Sequence, residues 1–551
     1  MSTKSQDSGM GNMATAKAQQ VFDNDKPGSP QVEESKANLQ SMNDDRDLNR
    51  LGKKSVLKRN FGFLSILGFA CTVLITWEAV LLLSAQGLSN GGRAGLIYGY
   101  ILVWVGNISV FTSLSELVSM APTAGGQYHW VAMLAPRRYA RFLSYIAGWL
   151  TVTGWQGSIT SAAYLTANMC QGMYTMTHPG FAPIPWVSTL LIIAVIAWAT
   201  FINTIVSSTL PKFEGAILIL HIVGFFALLI PMAVLGYHTT AEAVFTDFTD
   251  AGFWPDRGMA FFIGLVGNAF AFIGVDAAFH MSEETTNAAV TVPRSIFFSV
   301  MINGITGLAM AIVFLFCIGD LGALMEANPA FPHMEVFKNL AGADHLAGAC
   351  VMASVIVVMA FCADVGLMAS SSRVFWSFAR DRGVPFWRVL SRVDNKTSVP
   401  LNSVYTTSII AILLGLINIG SPTALSAVLT MSISGLYFSY LICAVLLLYR
   451  RCTTGFSMPS ASEMPALANT TGAELVWGPW RIPGIWGILN NIFACIYLII
   501  VAVFCFFPSS SVVDYTTMNY ACVVFGGIII ISLGYYFAWA RREYNGPIIE
   551  I

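Results

Sequence analysis

Long apolar runs alternate with short polar connections over almost the whole chain. Each run holds about 20 residues, the length that carries an α-helix across a hydrocarbon core of roughly 30 Å. Twelve are read in order: Phe61–Gln86, Ala94–Leu117, the stretch from Arg141 to Met169, Trp186–Ile205, Pro211–Leu235, a sixth starting at Gly258, Ser295–Ile318, His345–Ala379, Ser403–Ile419, Thr423–Tyr449, Ile485–Phe507 and Met518–Ala540. Soluble cores do not generate a dozen such runs. The pattern predicts an all-α polytopic membrane protein with twelve transmembrane helices.

The polar remainder sets the boundaries. Residues 1–55 are rich in Ser, Gln, Asn, Asp and Lys and poor in aromatics. Such a segment buries too little apolar area to offset its ordering entropy, so a disordered tail is expected. Its Lys17, Lys26 and Lys36 are candidate ubiquitin acceptors; a plain solvated tail is the alternative. Residues 56–542 form one helical membrane domain, and 543–551 a short polar tail. The tail before the first run lacks an apolar h-region, so the first spanning helix is expected to direct insertion.

Two runs are interrupted. The first carries Thr76-Trp77-Glu78 near its middle. The sixth contains Gly264, Gly267 and Gly274 and places Asp276 where hydrocarbon should still surround it. His280, Glu283, Glu284, Asn287, Pro293 and Arg294 follow. A helix that only anchors has no use for such an arrangement; one that breaks midway to hold a polar solute does. The two breaks lie five helices apart, which points to inverted repeats with a site between them.

Composition sharpens the picture. The 551 residues are 55% hydrophobic and 11% charged, against about 25% charged in soluble domains. A net charge of -1 gives no basic footprint for nucleic acid. Of ten cysteines, Cys71, Cys317, Cys362, Cys443, Cys495 and Cys505 lie inside apolar runs and read as small buried hydrophobes. With the N-terminus placed in the cytoplasm, the inner loops collect Arg137, Arg138, Arg141, Lys212, Arg294, Arg380, Arg382, Arg388, Arg392, Lys396, Arg450, Arg451, Arg481, Arg541 and Arg542. The outer loops hold only Arg93, Arg257 and Lys338. The positive-inside rule then puts both termini in the cytoplasm.

Intramembrane ionisable residues are functional candidates. Asp276 suits a proton carrier, or caps the second half of its helix. Glu78, beside Trp77, suits a charge offered to a cationic group, or a structural hydrogen bond between helices. Asp364 and His221 are further interior candidates, His221 because imidazole titrates near neutrality. Glu116, Glu283 and Glu284 sit at the inner helix ends, where Arg294 or Arg373 could close a gate; solvated helix ends are the alternative. Trp155, Gln156, Phe270, Phe272 and Tyr437 could line a pocket; only Phe270 and Phe272 flank a break. No Walker loop, CxxC pair, HExxH or nucleophile elbow occurs, which argues against an ATP-driven pump and against metalloenzyme chemistry.

Four stretches resemble one family. ELVSMAPTAGGQYHWV (Glu116–Val131), FIGVDAAFHMSEETTNAAVTVPRSI (Phe272–Ile296) and SSSRVFWSFARDRGVPF (Ser370–Phe386) resemble the amino acid–polyamine–organocation transporters. LPKFEGAILILHIVGFF (Leu210–Phe226), with His280 to Glu284, is similar to the fungal amino acid/choline branch, which includes GABA and choline permeases. The resemblance spans about Leu57 to Arg542. It implies a LeuT-like fold of 5+5 inverted repeats plus two C-terminal helices. Substrate would lie between Thr76, Trp77, Glu78 and Ala79 on one side and Ile273, Gly274, Val275 and Asp276 on the other, with Phe270 as a gating aromatic. Two departures stand out. Trp77 and Glu78 replace the small residues usual at the first break, which favours a substrate with a cation at one end and a distant or different anionic end. Helix 5 has no interior Lys, so proton coupling would fall to Asp276, Glu78 or His221.

The expectation is a plasma-membrane permease, not an enzyme, that imports an amino acid or related small amine such as GABA by proton symport. It would need no cofactor or metal and only H+ as the coupling ion. A choline or polyamine permease is the alternative, and a non-transporting nutrient sensor is the alternative of another class.

Overall fold

The computed structural model describes residues 44–178, 180–328, 330–342, 345–458, 466–515 and 517–550, apart from the side chains of 422–424, 426, 428 and 429. The described residues are helical, with isolated β-bridges and no strand. Ten helices among them are long and apolar enough to cross a membrane. Two of the twelve expected runs fall outside that set, each for a physical reason. The third is a helix of 41 residues, Arg137–Thr177, whose hydropathy is lowered by buried polar residues among the apolar ones, including Ser144, Thr151, Gln156, Ser158, Thr160, Ser161 and Thr166. The sixth stops after 14 residues, Arg257–Phe270, because its backbone breaks there.

The elements that build the site are α1 (Phe63–Leu74), α2 (Thr76–Leu82), α3 (Gly92–Met120), α4 (Gln127–Leu134), α5 (Arg137–Thr177), α6 (Pro185–Thr204), α7 (Leu210–Leu235), α8 (Arg257–Phe270), α9 (Ala277–His280), α10 (Ala288–Cys317), α11 (Pro332–Ala341), α12 (Leu346–Arg380), α13 (Leu401–Gly420), α14 (Pro422–Cys452), α15 (Gly484–Phe504) and α16 (Ala521–Tyr535). Helix α7 shows how they are oriented. Ile219, Val223, Phe226, Ile230 and Val234 are exposed, while Glu214, His221 and Leu228 are buried. The helical spacing of the exposed set makes one apolar stripe, and the polar groups lie inside. A protein in water has the opposite arrangement. This chain is an integral membrane protein.

Both ends of the described part of the chain pack onto the arginine-rich end of the bundle. Residues 44–50 are helical, and Leu48, Leu51 and Lys53 are buried. The folded part therefore starts before residue 56, the boundary expected from composition. Short-range polarity hid this, because the partners come from distant segments: Asp44 accepts from the Asn287 N–H at 2.9 Å. The closing tail is packed as well. Tyr544 is buried, and the Glu550 N–H donates to the Gly52 carbonyl at 2.7 Å. Lys17, Lys26 and Lys36, the candidate ubiquitin acceptors, lie outside the described residues.

Candidate functional site

The first break is a single residue. Ile75 separates α1 from α2 with φ 37° and ψ 47°. A β-branched side chain in this left-handed region is strained. Asn303 of α10 holds the break in place: its Oδ1 accepts the Thr76 N–H at 3.1 Å, and its Nδ2 reaches the Ser299 carbonyl at 3.1 Å and the Cys71 carbonyl at 3.5 Å. The second break is wider. Helix α8 ends at Phe270, residues 271–276 run as turns, and α9 restarts at Ala277. Gly274 has φ 105°, and a Cβ there would meet Val73 Cγ1 at 2.8 Å. Only glycine suits both the dihedral and the approach. The breaks touch, since the Thr76 hydroxyl donates to the Ala271 carbonyl at 3.0 Å.

Between them lies a cavity of about 60 Å³, lined by Val73, Leu74, Ile75, Ala79, Leu82 and Leu83 of the first break region, Phe270 and Ile273 of the second, and α5 and α12. Its polar side chains are Ser158 and Thr166; the rest of the lining is apolar. A second cavity of about 300 Å³ shares Leu83, Leu165 and Phe270 with it. A third, of about 720 Å³, shares Gln86, Thr430, Phe507 and Asn519 with the second. The three lie in series, and Phe270, Leu83 and Leu165 form the partition in front of the innermost.

The structure redistributes the expected site residues. Ala79, Phe270 and Ile273 line the inner cavity. Thr76, Trp77 and Glu78 do not. Thr76 ties the two breaks together, and Trp77 packs on His221 and Phe225 of α7 at ring distances of 5.8 and 6.2 Å. Glu78 pairs with His221 instead of facing a solute: Nδ1 to Oε1 is 2.9 Å and both side chains are fully buried. The break sits one residue before the expected trio, and one residue turns a helix by 100°. Phe272 packs on Tyr100 at 5.4 Å rather than over the cavity, and Gly274 and Val275 form its backing turn.

Asp276 also lies behind the cavity. Its Oδ2 accepts from Gln127 Nε2 at 2.8 Å and Trp155 Nε1 at 3.1 Å, and His280 Nε2 stands 3.5 Å away. Asp364 accepts from Thr166 at 3.0 Å. Glu214, one turn into α7, was passed over by the sequence reading. It is fully buried, accepts from Thr72 at 2.6 Å, and its Oε1 has no partner among the described residues. A carboxylate one turn into a spanning helix was the signal that could have found it. Tyr437 hydrogen-bonds to Tyr497 at 3.2 Å, and Gln156 to Thr407 at 3.2 Å.

The arginine-rich end is sealed by ion pairs. Arg380 grips both oxygens of Glu283 at 2.7 and 2.9 Å. Arg373 bonds to Glu284 at 2.8 Å, and Arg451 to Glu116. Arg294, expected in this set, is exposed and forms no ion pair among the described residues; α10 turns it outward. The partners of the glutamates come from α12 and α14 instead. A fourth pair was not expected: Lys53 bonds to Asp381 at 2.5 Å, both 1% exposed. Tyr128 and the Ile548 N–H add hydrogen bonds to Asp381 at 2.7 and 2.8 Å. Burial alone would raise the carboxyls of Glu283 and Asp381. For Glu283 the Arg380 guanidinium outweighs it, and for Asp381 Lys53 and Arg380 do, so both are held below the ordinary value.

The amino acid permease family model matches residues 61–528. The chain belongs to the amino acid permease family. It lies in the fungal amino acid/choline branch of the amino acid–polyamine–organocation superfamily. A Macrophomina phaseolina protein named as an amino acid/polyamine transporter is 31% identical over 83% of this chain and 96% of its own length. The choline transporter of Saccharomyces cerevisiae is 29% identical over 89% of this chain and 83% of its own. Amino-acid permease 2 of Neurospora crassa is 26% identical over 96% and 94%. Permeases of this family are transporters.

Proposed function

We propose that this permease is a secondary active transporter that imports an amino acid or related small amine such as GABA by proton symport. The reading takes the protein as a twelve-helix, LeuT-like 5+5 inverted repeat in the plasma membrane, with the arginine-rich end and both termini in the cytoplasm. The observation that carries it is the cavity between the breaks at Ile75 and Gly274, with Phe270 between it and the larger outer cavities. The C-terminus of α1 leaves backbone carbonyls without intrahelical partners, and these suit an ammonium group. The solute enters through the outer cavities, Phe270 closes over it, and the ion pairs of the cytoplasmic end then part. At about 60 Å³ the inner cavity must widen to admit any of these solutes, so the present arrangement is read as contracted, with the inside shut.

Choline is a second reading with its own support. The cavity lining carries no charged side chain and includes an aromatic face, which suits a methylated ammonium, and one relative is a choline transporter. A polyamine is less well served, because a second cation would meet only apolar wall. The test is uptake of labelled GABA, choline, putrescine and several amino acids in transporter-deficient cells, with and without a protonophore. Uptake of at least one, lost with the protonophore, is expected. Uptake of none would favour a nutrient sensor, and sodium-dependent uptake indifferent to the protonophore would remove proton coupling.

A further inference from the structure

We infer that His280 and Asp276 act as a unit that holds the coupling proton, with the Ala124 carbonyl fixing where it sits. The inference rests on the proton-symport reading above. His280 Nδ1 lies 2.9 Å from the Ala124 carbonyl oxygen. A carbonyl only accepts, so Nδ1 carries a hydrogen. In neutral imidazole the other nitrogen, Nε2, is then a bare acceptor. Nε2 points at Asp276 Oδ2 at 3.5 Å, with both side chains fully buried. An ionised carboxylate and a bare ring nitrogen repel each other at that distance. One extra proton removes the conflict, either on Nε2, which then donates to the carboxylate, or on the carboxyl, which then donates to Nε2.

Among the described residues the other groups at that point are neutral. Gln127 of α4 and Trp155 of α5 donate to the same Oδ2. Tyr440 of α14 faces Asp276 with its hydroxyl, and Cys443, one turn on, bonds to the Gln127 carbonyl. From α12, Ser370 donates to the Ala277 carbonyl at 3.3 Å. The charges just beyond His280 are paired with arginines, Glu283 with Arg380 and Glu284 with Arg373. Gln127 and Trp155 keep the carboxylate supplied with donors once the proton has left, so its departure does not strand a bare charge.

The pair is joined to both gates. Asp276 closes the turn whose first residues, Phe270 and Ile273, line the cavity. Ala124, which takes the His280 hydrogen on its carbonyl, gives its own N–H to Glu283 at 3.0 Å. Glu283 is the carboxylate that Arg380 grips. Loss of the proton therefore acts on the cavity wall through Asp276 and on the cytoplasmic seal through Ala124.

The test uses the full-length protein in proteoliposomes, with labelled GABA or choline, whichever the wild type accumulates, and membrane potential clamped. With one proton per solute, a gradient of one pH unit drives about tenfold accumulation. His280→Gln offers the Asp276 carboxylate an amide donor, and Asp276→Asn offers His280 Nε2 one, so in each variant the contact is satisfied without the shared proton. Both should lose solute-evoked proton entry and fall to about onefold accumulation, while counterflow exchange of labelled solute persists, and the double variant should be no worse. Proton entry retained in His280→Gln would overturn the pair and leave proton symport standing. Loss of counterflow together with accumulation in His280→Gln would also overturn it, assigning His280 to the architecture alone. A wild type that moves no protons with its solute would fail the underlying reading, which is a separate result.

Discussion

Replacing Lys53 by methionine should open the arginine-rich end. Lys53 and Asp381 are each 1% exposed and 2.5 Å apart. Removing one member of a buried pair strands the other charge, at a typical cost of about 3–5 kcal/mol. Here the Tyr128 hydroxyl and the Ile548 N–H stay on Asp381, so the lower part of the range applies, and some of it is relieved by rearrangement. We expect about 2 kcal/mol, which shifts the closed-to-open equilibrium by about 30-fold. The cost falls on the closed state, because opening lets water reach Asp381. Ser282 is buried in the closed state beside Glu283, so a Ser282→Cys reporter reads the opening with an impermeant thiol reagent applied from the side of the arginine-rich end, exposed Cys452 and Cys522 being replaced by serine. Lys53→Met should speed labelling by about 30-fold, and Lys53→Met with Asp381→Asn should return most of the way. A rate within threefold of the parent would show that the pair does not hold the end closed. The pH dependence has a fixed sign. Asp381 is held below its ordinary value in the folded state. Its stabilisation is present above the unfolded carboxylate range and is lost only as pH falls through the lower folded value. Acidification to about pH 5 should therefore leave the wild-type seal intact.

Other outcomes are expected. Asn303→Leu strands the Thr76 N–H at the first break and should lower stability by about 1–3 kcal/mol, read as a drop in the thermal midpoint; an unchanged midpoint would mean the break holds itself. Gly274→Ala meets both a φ of 105° and Val73 and should cost about 1–3 kcal/mol, seen as reduced thermal stability together with reduced uptake. Phe270→Ala should raise KM for uptake by about tenfold, from the loss of roughly 1–2 kcal/mol of cation–aromatic contact; an unchanged KM would remove Phe270 from the gate. Glu78→Gln should impair uptake without altering which solutes compete, because Glu78 faces His221 and not the cavity.

The sequence by itself determined the medium, the helices and the presence of two interrupted ones. Apolar runs of spanning length need no tertiary information, since each helix satisfies its own backbone. Gly274 and Asp276 marked the second break because glycine and a mid-membrane carboxylate are locally anomalous. The tertiary structure decided everything that depends on which face a residue presents. Moving the first break to Ile75, a residue with no local signature, carries Glu78 from the cavity to His221. The partners of Glu283 and Glu284 come from Arg380 and Arg373, about 90 residues away in sequence, while the nearer Arg294 points outward. Lys53 looked like part of a polar tail and is buried against Asp381, 328 residues on. Periodicity reports what a segment must avoid, water or lipid. Which charged groups meet across the bundle is set by how the helices pack, and no short stretch of sequence contains that.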